Sequence, residues 1–284
     1  SSITGSGYIT AAFKPAMMTT DQTGCNQGYV STNSTDRNDF NNSTTVHTEN
    51  TNCKYTSTFN GTSSAAPVLS GAIALILEAN SNLTWRDVKH ILITTADQVD
   101  ASIPSTDITI NNTTYTAEPA WLTNGASHKF HNYYGFGRVN VANAVSAAKA
   151  YTSGSLGTFA TTAWETNATS TSIPNEDING ASTVITTANT KTIEAVQIRV
   201  NVTHLNTGEL AIELTSPAGT KSVLLTAYNG FINNDANLLN MILLSNAFYG
   251  ENTLGNWTIK VIDANSLGGI GGTLSDWSIR FFGH

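Results

Sequence analysis

Serine becomes a useful nucleophile only when a base accepts its proton and a positive field stabilises the oxyanion it creates. One segment of the 284-residue chain meets part of that requirement: Gly61-Thr62-Ser63-Ser64-Ala65-Ala66-Pro67, which runs directly into a long apolar stretch. At a helix N-terminus the first-turn N–H groups lack intrahelical acceptors, and the positive end of the dipole faces outward. Ser63 is therefore the candidate nucleophile, its own backbone N–H is a candidate oxyanion donor, and Gly61 allows a substrate backbone to come close. The small Ser64, Ala65 and Ala66 let the helix lie tightly in a core, and Pro67 is expected in its first turn. The other reading of these residues is an ordinary serine N-cap.

The elements that must hold such a serine can be read along the chain. Up to about residue 60, short apolar pieces (Tyr8-Ile9, Met17-Met18) alternate with polar turns and read as strand and loop. Ser63 to Asn80 is a dense apolar helix, expected to be buried. A second helix follows, with Thr84 as cap, Asp87 closing a capping box, and an apolar stripe of Trp85, Val88, Ile91 and Leu92. Ile108, Ile110 and Tyr115 flank an Asn111-Asn112 turn, a hairpin pattern. Asn140 caps a third, Ala-rich helix over 141–150. From 152 to 173 Thr, Ser, Gly and Ala dominate, which suits an exposed linker. Beyond it the period switches to two: 193–202, 210–214, 222–225, 257–262 and 277–282 read as strands. The expected organisation is an α/β portion over 1–151, the linker over 152–173, and an all-β sandwich of jelly-roll type over 174–284.

Composition narrows the function classes. Thirteen Lys and Arg against twenty Asp and Glu give −7, which argues against nucleic acid or an anionic membrane surface as partner. Charged residues are only 12%, while Asn and Thr supply about a quarter of the chain. No uncharged apolar run is expected to reach the ~18 residues that span a bilayer. Cys25 and Cys53 bracket a segment of Asn, Thr, Ser and Asp with little apolar surface to hold it. A disulfide closing its base would contribute about 3 kcal/mol by chain entropy, the alternative being two buried thiols. A staple of that kind points to an oxidising, extracytoplasmic compartment.

The segment around Ser63 resembles the nucleophile motif of the subtilisin-like serine peptidases, and within them the kexin-like branch. The likeness extends to Thr19-Thr20-Asp21 and Cys25 before it. After it come Leu77-Glu78-Ala79-Asn80, Asn82 to Val88, Asn124-Gly125, His128 and Tyr133 to Gly137. His204, Gly208-Glu209-Leu210, Ser216-Pro217 and Gly219-Thr220 look like the opening of a P domain, the β-sandwich that follows the kexin catalytic domain. Phe248, Gly250-Glu251, Gly255-Asn256-Trp257, Asp263, Gly272-Thr273-Leu274 and Trp277 look like its close. The resemblance implies a subtilisin-like α/β fold, of which residues 1–151 are the C-terminal portion, followed by a P domain that stabilises it. It also implies calcium, with ligands outside this chain, and cleavage after basic residues, often paired. No two Lys or Arg residues are adjacent here.

In that family the triad is read in the order Asp, His, Ser. Ahead of Ser63 stand only Asp21, Asp36, Asp39 and His47, all in the wrong context, and the family's oxyanion-hole asparagine is missing too. His90, His128, His131 and His204 follow Ser63 and read as surface or structural residues. The chain is thus expected to be a C-terminal part, needing an Asp and a His from an N-terminal part and inactive alone, with protein or peptide substrates. A non-catalytic scaffold built on a degenerate peptidase half is the alternative. A β-sandwich binder is a third, and it would require exposed Trp257 and Trp277. Sequons at Asn33, Asn41, Asn42, Asn60, Asn82, Asn111 and Asn201 include one three residues from Ser63. A glycan there would obstruct the site, which favours a bacterial secreted protein.

Overall fold

The computed structural model describes residues 17–28, 40, 46–59, 61–229, 237–265 and 271–284. The chain falls into two compact units, Ser1–Glu78 and Ala79–His284. In the first, β1 (Met17–Thr20) pairs antiparallel with β2 (Tyr55–Phe59), Met17 opposite Phe59 and Thr20 opposite Tyr55. Backbone bonds continue beyond the strands, from Asp21 N–H to Lys54 O and from Gly24 N–H to Asn52 O. They bring the Cα atoms of Cys25 and Cys53 to 5.0 Å, and the two residues form a disulfide. Two free thiols are thereby excluded. The same ladder end is tied by Asn50, which is buried: its Nδ2 donates to Phe40 O and Tyr55 O, and its Oδ1 accepts from Tyr55 N–H.

β2 leads through Gly61 into α1 (Thr62–Ala79), where two expectations are corrected. Pro67 lies inside the helix at its sixth position, so it removes the N–H that would bond to Ser63 O. The helix is also not a buried one: Ser64, Ala72 and Ile76 are buried, while Val68, Leu69, Leu75 and Leu77 are 45, 39, 48 and 36% exposed. The described part of this unit offers a single two-stranded sheet, too little surface to cover an 18-residue apolar helix. By length and composition alone α1 is long and apolar enough to cross a membrane. The helix includes Glu78, so the expectation that no uncharged apolar run reaches that length concerns a stricter property, and the two stand together.

In the second unit α2 (Trp85–Thr95) begins with the expected capping box. Thr84 Oγ1 accepts from Asp87 N–H at 3.3 Å, and Asp87 Oδ2 accepts from Thr84 N–H at 2.8 Å. β3 (Thr106–Ile110) and β4 (Thr113–Glu118) form the hairpin, with Asn111 and Asn112 both at positive φ (43° and 62°), the type I′ geometry that asparagine tolerates. β5 (Leu122–Thr123) pairs with β6 (Lys129–Phe130), and α3 (Val141–Ala150) follows its Asn140 cap, whose side chain accepts from Asn143 N–H.

Segment 152–173 is not a bare linker. It carries β7 (Ala160–Thr161), β8 (Glu165–Asn167) and β9 (Thr171–Ile173), all antiparallel to β16 (Gly272–Gly283). β16 is twelve residues long and leaves a free edge, and Thr-rich chain satisfies it readily. The sandwich consists of a sheet β10-β15-β12-β13 facing a sheet β14-β11-β16. Its strands are β10 (Ala181–Thr187), β11 (Ile193–Thr203), β12 (Leu210–Thr215), β13 (Lys221–Leu225), β14 (Leu238–Ser245) and β15 (Gly255–Asp263). Inward residues of both sheets, among them Val196, Ile198, Ile212, Leu214, Ile259 and Ile279, form one core. Trp257 and Trp277 belong to it, and their indole N–H groups donate to Thr253 O and Thr183 Oγ1 at 2.8 Å each. Burial of both rings removes the binder reading.

Candidate active site

The start of α1 is held by one carbonyl. Gly61 O accepts from the N–H groups of Ser64 (3.2 Å) and Ala65 (3.3 Å) and from Ser64 Oγ (2.8 Å). Gly61 reaches this position at φ +81°, a conformation other residues adopt only under strain. Ser64 is thereby consumed as a structural residue, buried under the first turn. Ser63, one position earlier, is exposed. Its N–H stands among the first-turn donors that have no partner within the helix. Gly61 O, which accepts from the first-turn N–H groups, stands at the mouth of the helix just ahead of Ser63.

The disulfide closes the polar segment that runs between β1 and β2, just ahead of this turn in sequence. Asp36 and Asp39 in that segment lie outside the described residues, as do Asn33, Asn41, Asn42 and Asn60. His47 is engaged locally: its Nδ1 accepts from Glu49 N–H, and its ring lies 5.2 Å from that of Phe40.

The later histidines have structural partners. His90 Nδ1 meets Tyr249 Oη at 2.9 Å, and burial together with neighbouring His128 pushes its imidazole below the ordinary value. Burial does the same to His128 and to His131, whose Nδ1 accepts from Tyr133 N–H. His204 pairs with Asp263 inside the sandwich at 3.1 Å. Among the described sequons, Asn82 is exposed, Asn111 sits in the hairpin turn, and Asn201 Nδ2 donates to Asp276. Among the described residues no group of three or more His, Cys, Asp and Glu could hold a metal.

Sequence reading missed a set of anchors within the second unit. Arg86 on α2 pairs with Glu194 on β11, and His284 Nδ1 meets the same carboxylate at 3.0 Å. Lys89 Nζ donates to Glu194 O and Asn246 Oδ1. Asn124 Nδ2 donates to the carbonyls of Ala247 and Tyr249, while Gly125 N–H donates to Thr220 Oγ1 and Glu251 Oε1. The available signal was a lone carboxylate within apolar surroundings, as in Ile193-Glu194-Ala195.

Residues 6–137 match the subtilase family and residues 193–281 the proprotein convertase P-domain. An extracellular serine protease of Aeromonas sobria is 32% identical over 323 aligned residues, covering 100% of this chain and 51% of that protein. Proprotein convertase subtilisin/kexin type 6 of Homo sapiens is 33% identical over 233 residues, 78% of this chain and 22% of its own length. The crystal structure of the Aeromonas sobria serine protease superposes with a TM-score of 0.83 at 31% identity, covering 95% of this chain and 51% of that one. The chain spans about half the length of the Aeromonas relative.

Proposed function

We propose, because this chain belongs to the subtilase family and carries a proprotein convertase P-domain, that it is the C-terminal part of a serine endopeptidase that forms its acyl-enzyme on Ser63. Residues 1–151 are then the end of the peptidase domain and 174–284 the P domain. The observation that carries this reading is the exposed Ser63 on the first turn of α1, with Gly61 as its cap at φ +81°. Ser63 Oγ attacks the scissile carbonyl and passes its proton to a histidine. The N–H of Ser63 donates to the oxyanion, and collapse releases the amine, which takes that proton. The histidine, and the aspartate that orients it, come from the N-terminal part of the peptidase, so this chain alone is inactive. The exposed apolar side of α1 supports the same assignment, since a preceding part of the domain would cover it.

The substrates are proteins or peptides, cut after basic residues. The likeness to a human proprotein convertase and the −7 charge both favour basic ligands. Secretion follows from the disulfide and from the extracellular Aeromonas relative.

The test is to assemble the chain with a polypeptide carrying the Asp and His, treat it with a fluorophosphonate, and map the adduct by peptide mass spectrometry. The adduct is expected on Ser63, and Ser63→Ala should lower kcat by about 10⁴-fold or more. Undiminished peptidase activity in that variant would end the proposal, and the scaffold reading would replace it.

A further inference from the structure

Glu209 is an anomaly in the second unit. It ends a short 3₁₀ turn (Thr207–Glu209) that joins β11 to β12, and it is 4% exposed. The turn is pinned by its backbone: Glu209 N–H donates to Asn206 O, Ala264 N–H to Glu209 O, and Asn229 N–H to Gly208 O. The carboxyl is thus held inside with no hydrogen bond of good geometry to either oxygen among the described residues, the Asn206 side chain bearing on it only weakly. Its neighbour Asp263 is fully buried and well satisfied, with Oδ2 meeting His204 Nε2 and Oδ1 accepting from Asn265 N–H. His204 Nδ1 in turn accepts from Asn206 N–H. An ionised carboxylate so poorly supplied with donors, beside a second buried carboxylate, is strongly disfavoured.

We propose that Glu209 is a proton-dependent latch: with its carboxyl neutral the 204–209 turn packs into the end of the sandwich, and ionisation beside Asp263 drives the turn toward water. The titratable groups that bear on it are Asp263, at the end of β15, and His204, just after β11. Burial, and next the Asp263 charge, push the Glu209 carboxyl above its ordinary value, opposed only in part by His204 and Asn206. A raised folded value means that the native state binds the proton more tightly than the unfolded chain does. The contribution is therefore complete below the unfolded value of 4.5 and is lost as pH rises through the folded one. This inference does not depend on the role of Ser63.

The experiment compares thermal unfolding of the full chain and of Glu209→Gln from pH 4.5 to 8, in chelated buffer and with added calcium. The glutamine mimics the neutral acid. Its curve should run beside the wild type at the acid end and lie several degrees above it at pH 8. Against burial, His204 is raised chiefly by its Asp263 hydrogen bond, with Glu209 a smaller cause, so the difference between the curves reads mainly the Glu209 carboxyl. Parallel curves, or a variant less stable at pH 8, would overturn the latch. So would calcium removing the pH dependence of the wild type, since the carboxylates would then hold a cation. Two measurements on the wild type stand if the variant fails to fold. The ¹³C-carboxyl titration should include a glutamate shifted upward, and amide exchange at 204–209, corrected for intrinsic rate, should speed up between pH 5 and 8. A normal glutamate titration or unchanged protection would refute it.

Discussion

Ser63 and its neighbours divide labour in a way that chemistry explains. Ser64 spends its hydroxyl on Gly61 O, which leaves Ser63 free and exposed. Pro67, four residues on, cannot donate to Ser63 O. What singled Ser63 out in sequence is that glycine, serines and small residues entering an apolar run have few other reasons to occur together. The position of Pro67 was not, since a helix start shifts by a few residues without any change of composition. Glu194 gave little signal in sequence, yet it is the residue on which α2 and β11 are tied. Burial disfavours its charge, but the Arg86 and His284 hydrogen bonds prevail and hold the carboxyl below its ordinary value. A depressed folded value gives stability that is present above the unfolded value of 4.5 and lost as pH falls through the folded one. Glu194→Ala strands a nearly buried Arg86 and should cost about 3–5 kcal/mol at pH 7. Urea unfolding should show that cost shrinking toward pH 3, and a cost independent of pH would mean that packing dominates.

Elements were legible where a local rule fixes them. The Thr84–Asp87 box and the Asn111-Asn112 hairpin are short-range chemistry, and both stand where the pattern placed them. β14 was missed because its Leu-Leu-Asn-Met-Ile-Leu-Leu run does not alternate, and a shift in register near Asn240 breaks its period. β7, β8 and β9 were missed because two or three residues carry no period, and only the long edge of β16 makes them strands. The exposure of α1 was illegible for another reason: hydropathy reports what a helix would bury, not whether a covering surface is present. The hairpin offers a test of the local rule. Asn112 sits at φ 62°, so Asn112→Gly should be neutral or slightly stabilising, whereas Asn112→Val should cost about 1–2 kcal/mol. Equal thermal midpoints for the two variants would show that the turn does not constrain the fold.

For the molecule as a whole, the two units report different degrees of completion. The sandwich buries both tryptophans and a continuous core of some twenty side chains, whereas α1 leaves Val68, Leu69, Leu75 and Leu77 between a third and a half exposed. Each such side chain forgoes about 1 kcal/mol of burial, and together they make an adhesive patch on a chain whose net charge is only −7. The isolated chain should therefore bind a hydrophobic dye such as ANS and self-associate as its concentration rises. Both signals should fall when the Asp- and His-bearing part of the peptidase is present, and they should fall in step with the appearance of fluorophosphonate labelling at Ser63. The coupling follows because the surface that would cover α1 and the base that would activate Ser63 are assigned to the same polypeptide. Replacing Leu69 and Leu75 by glutamine should weaken dye binding by the isolated chain and weaken association with the N-terminal part, while melting of the sandwich stays unchanged. Labelling that reached full yield while dye binding persisted would separate the two events and remove the exposed helix face as the docking surface.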